Sequence, residues 1–381
     1  MSAQVRPLDG LVVLDLSQFL AGPTAAARLA DLGACVIKVE RYPDGDPSRA
    51  MVVAKDMDSG GDSLIFHAIN RGKTSLLVNL KSAEGLSRVR ELISTADVLI
   101  ESYRPGVMER LGLSVEQVHE LNPSLVYGRI TGYGSEGPWT GRPGQDLLVQ
   151  ALSGLCWLQG VDGSDPTPIG FSIVDAAAGS ALTQGILAAL LRRARGLSVG
   201  GLVEVSLLES AIDLQFEVLT LHLNQKALEQ PPRSAVNPAH PYLAAPYGIY
   251  RCSDGWLAVA MGGVDALGKC LGDAYLAQLN DSKVWWSERD TIKRRVGEVL
   301  VEFRVQDALN RLLEAGLWAS EVLGWNELVQ HPGFEALDLL QKLVREDGTS
   351  VTTTRCPYRI DGQVLTAPLP APVLGSAGTI D

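Results

Sequence analysis

A chain of 381 residues, 46% hydrophobic and 20% charged, has the makeup of a soluble globular protein with room for two domains. Its net charge of −11 argues against general binding to nucleic acid or an anionic membrane, so any polyanionic ligand needs a local basic pocket. Five scattered cysteines without a CxxC pair, and five dispersed histidines, argue against a disulfide framework or a metal site and fit a reducing cytoplasm.

The polar N-terminal segment runs into Leu11-Val12-Val13-Leu14-Asp15-Leu16, which reads as a buried first strand and not as a signal peptide. Gly22-Pro23 opens a helix through Leu32, stopped by Gly33. Strands are expected at Cys35 to Glu40, Ser75 to Asn79, Val98 to Glu101 and Leu125 to Ile130, with helices at about 83–95, 115–121 and 145–153. This alternation predicts an α/β fold, an open and mostly parallel sheet with helices on both faces, whose ligands bind at the carboxyl ends of the strands. A long apolar helix follows Asp175 to about Arg193; its best membrane-like stretch, 181–191, is too short to span a bilayer and ends in Arg192-Arg193. A strand at Val203 to Val205 and a helix over Glu209 to Asn224 come next. Five prolines between 229 and 246 mark a linker or an active-site loop. Strands at 247–250 and 255–260 and helices at roughly 264–279, 288–303 and 305–316 precede a Pro-rich tail.

Asp175 stands at the mouth of its helix, where unpaired N–H groups and the helix dipole favour negative charge. Two readings fit it: a helix cap, or an acid kept ionised as a nucleophile. A nicotinamide site is disfavoured because the first turn, Gln18 to Pro23, lacks GxGxxG. Arg41, Lys81, Arg104 and Arg110 follow predicted strand ends, where an open sheet would gather contacts to a phosphate-bearing ligand, and Tyr103 offers an aromatic face for a base. The Gly-rich run from Gly132 to Gly144 fits either a ligand-wrapping loop or an ordinary crossover.

Six motifs in order carry a resemblance: Ala21-Gly22-Pro23, Leu32 to Arg41, Gly45-Asp46-Pro47-Ser48-Arg49, Arg104-Pro105-Gly106, Gly132-Tyr133-Gly134 and Asp146 to Gly154. The chain resembles the class III CoA-transferases, the group of formyl-CoA transferase, the carnitine CoA-transferases and the α-methylacyl-CoA racemases. The resemblance implies a Rossmann-like large domain built from both chain ends (1–224 with 336–381), a smaller α+β domain with its linkers (225–335), and an interlocked homodimer. It places the catalytic aspartate on Asp175. CoA contacts fall on Arg41, Lys81, Ser102, Tyr103, Arg104, Arg110, Gln145 and Asp146, with a further active-site contact on Leu20 and Ala21. It implies acyl-CoA and carboxylic acid substrates, with CoA thioester as substrate and no tightly bound cofactor. The racemases carry a histidine where this chain has Gln145, which cannot exchange a proton at neutral pH. They also carry a glutamate near Gly263, where only Asp265 is close. Transfer is therefore favoured over isomerisation, with CoA binding without turnover as a third reading. Formyl-CoA transferase differs at Leu20 and Gln145 and has a glycine loop where 234–246 is proline-rich, so oxalate or formate is not expected.

Overall fold

The computed structural model describes residues 6–51, 61–227 and 229–381. The chain divides into two units: Met1–Val149 with Phe171–Leu214 and Leu337–Asp381, and Gln150–Gly170 with Gln215–Ala336.

In the first unit, β1 (Val12–Asp15), β2 (Cys35–Arg41), β3 (Lys73–Val78), β4 (Val98–Glu101), β5 (Val126–Thr131) and β6 (Gly201–Ser206) form a sheet with the short C-terminal strand Thr379–Ile380. The order is C-terminal strand, β3, β2, β1, β4, β5, β6, and every pairing is parallel. Strands such as VLIE in β4 are buried along their whole length because helices cover both faces. Alternation splits their side chains. Val13, Val98 and Ile100 join Ala25 and Leu29 of the Ala21–Asp31 helix and Leu182 and Ile186 of the Ile173–Ala194 helix. Leu14 and Leu99 join Val89 and Ile93 of the Ala83–Ile93 helix on the opposite face. Strand order reverses between β1 and β4, and the carboxyl ends of these two strands border the crevice in which such sheets bind ligands.

The Ile173–Ala194 helix spans 22 residues and is long and apolar enough, by length and composition, to cross a bilayer, a property the 181–191 reading missed. Its Val174, Ala178, Leu182 and Ile186 are buried in the core of this unit. Gly179 brings it against the Ala21–Asp31 helix: a Cβ there would lie 2.7 Å from the carbonyl oxygen of Ala21.

Beneath the carboxyl ends of β1 to β3 lies a buried charge network. Lys73 Nζ meets Asp15 Oδ2, the Pro23 carbonyl and Asn70 Oδ1, each at 2.8 Å. Lys38 pairs with Asp46 at 2.8 Å and donates to the Ser17 carbonyl at 3.0 Å. Arg49 grips Glu40 through two hydrogen bonds and pairs with Asp62, which also meets Arg345. Burial pushes the Asp15 carboxyl up, but Lys38 and Lys73 outweigh it and hold it low, so the cluster stays charged.

The second unit has a three-stranded antiparallel sheet, Gly248–Arg251, Trp256–Val259 and Ala319–Glu321, packed with the Val264–Leu271, Arg289–Leu300 and Val305–Glu314 helices. Residues 150–170, which the sequence reading places in the large domain, belong here. Arg233 donates to the Gln159 and Ser164 carbonyls, a tie formed across about seventy residues. The proline-rich stretch is neither a free linker nor a loose loop. Arg289 donates to the Pro241 and Pro232 carbonyls, Asp290 accepts from Ser234, and Lys293 donates to the Asn237 carbonyl. The expected helix over Glu209 to Asn224 is two helices, Leu207–Asp213 and Phe216–Leu223.

Candidate active site

Asp175 is the third residue of the Ile173–Ala194 helix, and Ser172 at its N-cap makes no side-chain cap. The exposed N–H groups are satisfied from elsewhere: Asp146 Oδ2 accepts from Val174 N at 2.8 Å and from Asp175 N at 3.1 Å. Asp146 is the cap, and the capping reading of Asp175 is set aside. The half-buried Asp175 carboxylate makes no hydrogen bond or ion pair among the described residues. Burial, and then the like charge of Asp146, push its pKa up to about 7. The helix mouth therefore does not hold the carboxyl low as expected, because burial outweighs it, and Asp146, which occupies the N–H groups, adds repulsion.

Leu20 is the N-cap residue of the Ala21–Asp31 helix. Gly179, which touches Ala21, lies one turn after Asp175 on the same helix face, so the Leu20-Ala21 turn borders the first turn bearing Asp175. Across the strand-order switch, Ser102 Oγ accepts from Gln18 N at 3.0 Å and joins the same turn to the segment after β4.

Tyr103 and Arg104 line a cleft of about 220 Å³ with Glu101, Pro105, Gly106, Met108, Glu109, Arg129, Thr131 and Ser135. Burial pushes the Tyr103 phenol up to about 12, so it stays a neutral donor. Arg104 is exposed and unpaired among the described residues, whereas Arg129 is committed to Glu101 at 2.8 Å, with Glu204 and Glu109 farther out. Neither Glu101 nor Arg129 was singled out from the sequence. The available signal was a charge at the end of, or inside, an otherwise apolar strand.

The other expected contacts are less converged. Arg110 folds its guanidinium against Gly106, a cleft residue. Lys81 and Gln145 are exposed, and Arg41 is exposed and paired with Asp44 at 3.2 Å. The Gly-rich loop is pinched at its base, where a Cβ on Gly132 would stand 2.9 Å from Gly144 Cα. Residues 135–142 are exposed, and Ser135 alone of them lines the cleft. Asp265 is engaged by Lys269 at 2.8 Å, whose hydrogen bond holds its carboxyl low, so it is poorly suited as an acid partner for isomerisation. Among the described residues no group of three or more His, Cys, Asp and Glu is placed to hold a metal.

The parallel sheet, with an acid unpartnered among the described residues at the mouth of the Ile173–Ala194 helix, defines an α/β protein with a candidate site at the carboxyl ends of its strands. The chain belongs to CoA-transferase family III, whose pattern matches residues 8–377. It is 33% identical to a probable fatty acyl-CoA transferase of Mycobacterium tuberculosis, over 94% of this chain and 93% of that protein. It is 31% identical to the succinate–glutarate CoA-transferase of Agrobacterium fabrum, over 97% of this chain and 93% of that one. The crystal structure of a D175A mutant of the M. tuberculosis protein superposes with a TM-score of 0.85 at 30% identity, covering 98% of each chain. The protein is thus a CoA-transferase, with CoA thioesters as substrates.

Proposed function

We propose that the protein moves CoA from an acyl-CoA donor to a carboxylic acid acceptor through covalent intermediates on Asp175. The ionised carboxylate attacks the thioester carbonyl, forming an acyl–aspartyl anhydride and releasing CoA thiolate. The thiolate attacks the aspartyl carbonyl, giving an aspartyl–CoA thioester and freeing the donor acid. The acceptor carboxylate then attacks that thioester, and the returning thiolate captures the new acyl group and restores Asp175. Each step exchanges one acyl bond for another and needs no external proton.

The observation that carries this reading is the lone Asp175 carboxylate. A carboxylate raised to about 7 is more basic than an ordinary one, and no hydrogen bond has to be broken before it attacks. Arg104, Arg110 and Lys81, exposed and unpaired among the described residues, supply positive charge for CoA phosphates beyond the carboxyl ends of β3 and β4. The test is mass spectrometry of the protein mixed with pooled acyl-CoAs. A CoA or acyl adduct on Asp175, lost together with all turnover in Asp175→Ala, is expected. Transfer at wild-type rate by Asp175→Ala ends the proposal.

We also propose that the chain works as a homodimer. No residue of the largely apolar Phe216–Leu223 helix is more than partly buried within the chain, and Phe216 and Leu223 are 69% and 61% exposed, which a second copy would cover. A monomeric mass in sedimentation at micromolar concentration refutes this.

A further inference from the structure

We propose that Phe19 selects the acyl group, and that the donor is the CoA thioester of an uncharged, apolar acid. This deepens the reading of Asp175 and rests on it.

Phe19 has φ 64°, in the left-handed region that a bulky aromatic avoids. Its side chain does not repay that strain by packing, since the residue is 51% exposed. The backbone is instead imposed from below. Phe19 N donates to Asp46 Oδ1 at 3.4 Å, Lys38 binds Asp46 and the Ser17 carbonyl, and Lys73 binds the Pro23 carbonyl. Both ends of the Ser17–Pro23 turn are therefore anchored to buried lysines, and its apex presents an aromatic ring outward.

Position gives that ring its use. One residue before it, Gln18 is tied to Ser102, next to the cleft residues Tyr103 and Arg104. Two residues after it, Ala21 meets Gly179, one turn from Asp175. A thioester whose CoA lies along the Ser102–Arg104 segment has to pass this turn to reach the nucleophile.

Charge narrows the acyl class. Among the described residues no cation bears on Asp175, and the neighbouring ionisable group that does is the acid Asp146. A donor with a second carboxylate would bring a further negative charge beside two acids, whereas an apolar chain gains contact with Phe19 and Leu20.

The test is label exchange between an acyl-CoA and its own isotopically labelled acid, which needs no knowledge of the natural acceptor. Hexanoyl-CoA with hexanoate is compared with succinyl-CoA with succinate. Wild-type kcat/KM is expected to favour the hexanoyl pair by about tenfold or more. Phe19→Asn tolerates the left-handed backbone but removes the apolar ring, and should bring the two pairs to within about threefold. Phe19→Leu should restore most of the preference. A wild-type preference for the succinyl pair, or Phe19→Asn slowing both pairs equally, overturns the inference while leaving the Asp175 reading intact. Exchange by neither pair, with no adduct on Asp175 from any acyl-CoA, overturns the Asp175 reading and this inference with it.

Discussion

Two sets of acids lie near the carboxyl ends of the central strands and are treated in opposite ways. Asp15, Glu40 and Asp46 are fully buried, and each meets a lysine or arginine within 3 Å. Asp175 is half-buried and meets none among the described residues. A buried carboxylate costs several kcal/mol unless it is paired, so the first set is explained by architecture: it fixes the turn at 17–23 and ties β2 and β3 to the C-terminal segment. The second acid is explained by no architectural gain, because Asp146 already caps its helix. Full partnership marks a structural charge here; the acid without a partner among the described residues is the one we propose as nucleophile.

That contrast is broken or sharpened by replacing one member of each set. Lys73→Met leaves Asp15 buried with only the more distant Lys38, and should lower stability by about 3–5 kcal/mol. Asp175→Asn should act in the opposite direction. Its carboxyl is raised from 3.8 to about 7 by folding, so between pH 4 and 7 the native state holds a proton that the unfolded state has lost. Wild-type stability therefore falls as pH rises through that window, and the penalty is complete above it. The amide removes this penalty, at most about 4 kcal/mol at pH 8 from about 1.4 kcal/mol for each pH unit between the two values, and close to nothing at pH 4. Thermal transitions at both pH values check the pair. Asp175→Asn melting below wild type at pH 8 would mean that Asp175 has a structural partner after all.

The sequence exposes one side of this contrast better than the other. Strands β1 and β4 are legible because burial on both faces makes them nearly continuous aliphatic runs. Asp175 is legible because it opens an apolar helix. The buried lysines are not, since Lys38 and Lys73 look like ordinary strand charges until β1, β2 and β3 bring them onto Asp15. The cap is equally hidden, because Asp146 reaches Val174 across 28 residues of chain. The placement of 150–170 depends on Arg233, and the hairpin of Leu340–Val344 with Ser350–Thr354 alternates too weakly, with too many polar residues, to declare itself. Local pattern is written in neighbouring residues, whereas partnership between charges is written only in the fold.

The smallest expected effect tests Asp146, an acid outside both sets: it satisfies backbone donors as a structural group and raises Asp175 as an electrostatic one. Asp146→Asn keeps a carbonyl oxygen to accept from Val174 N and Asp175 N, and asparagine is itself a favoured cap, so the helix should hold. What it removes is the like charge. Because attack needs the ionised form, kcat/KM in the wild type should rise with pH through about 7 and level off above it. In Asp146→Asn the midpoint should move down by about one unit, yet stay above the ordinary carboxylate range, since burial is the larger of the two causes and is unchanged. The readout is the pH profile of label exchange for both proteins. A profile that keeps its midpoint while the rate falls at every pH would make Asp146 a helix cap and nothing more.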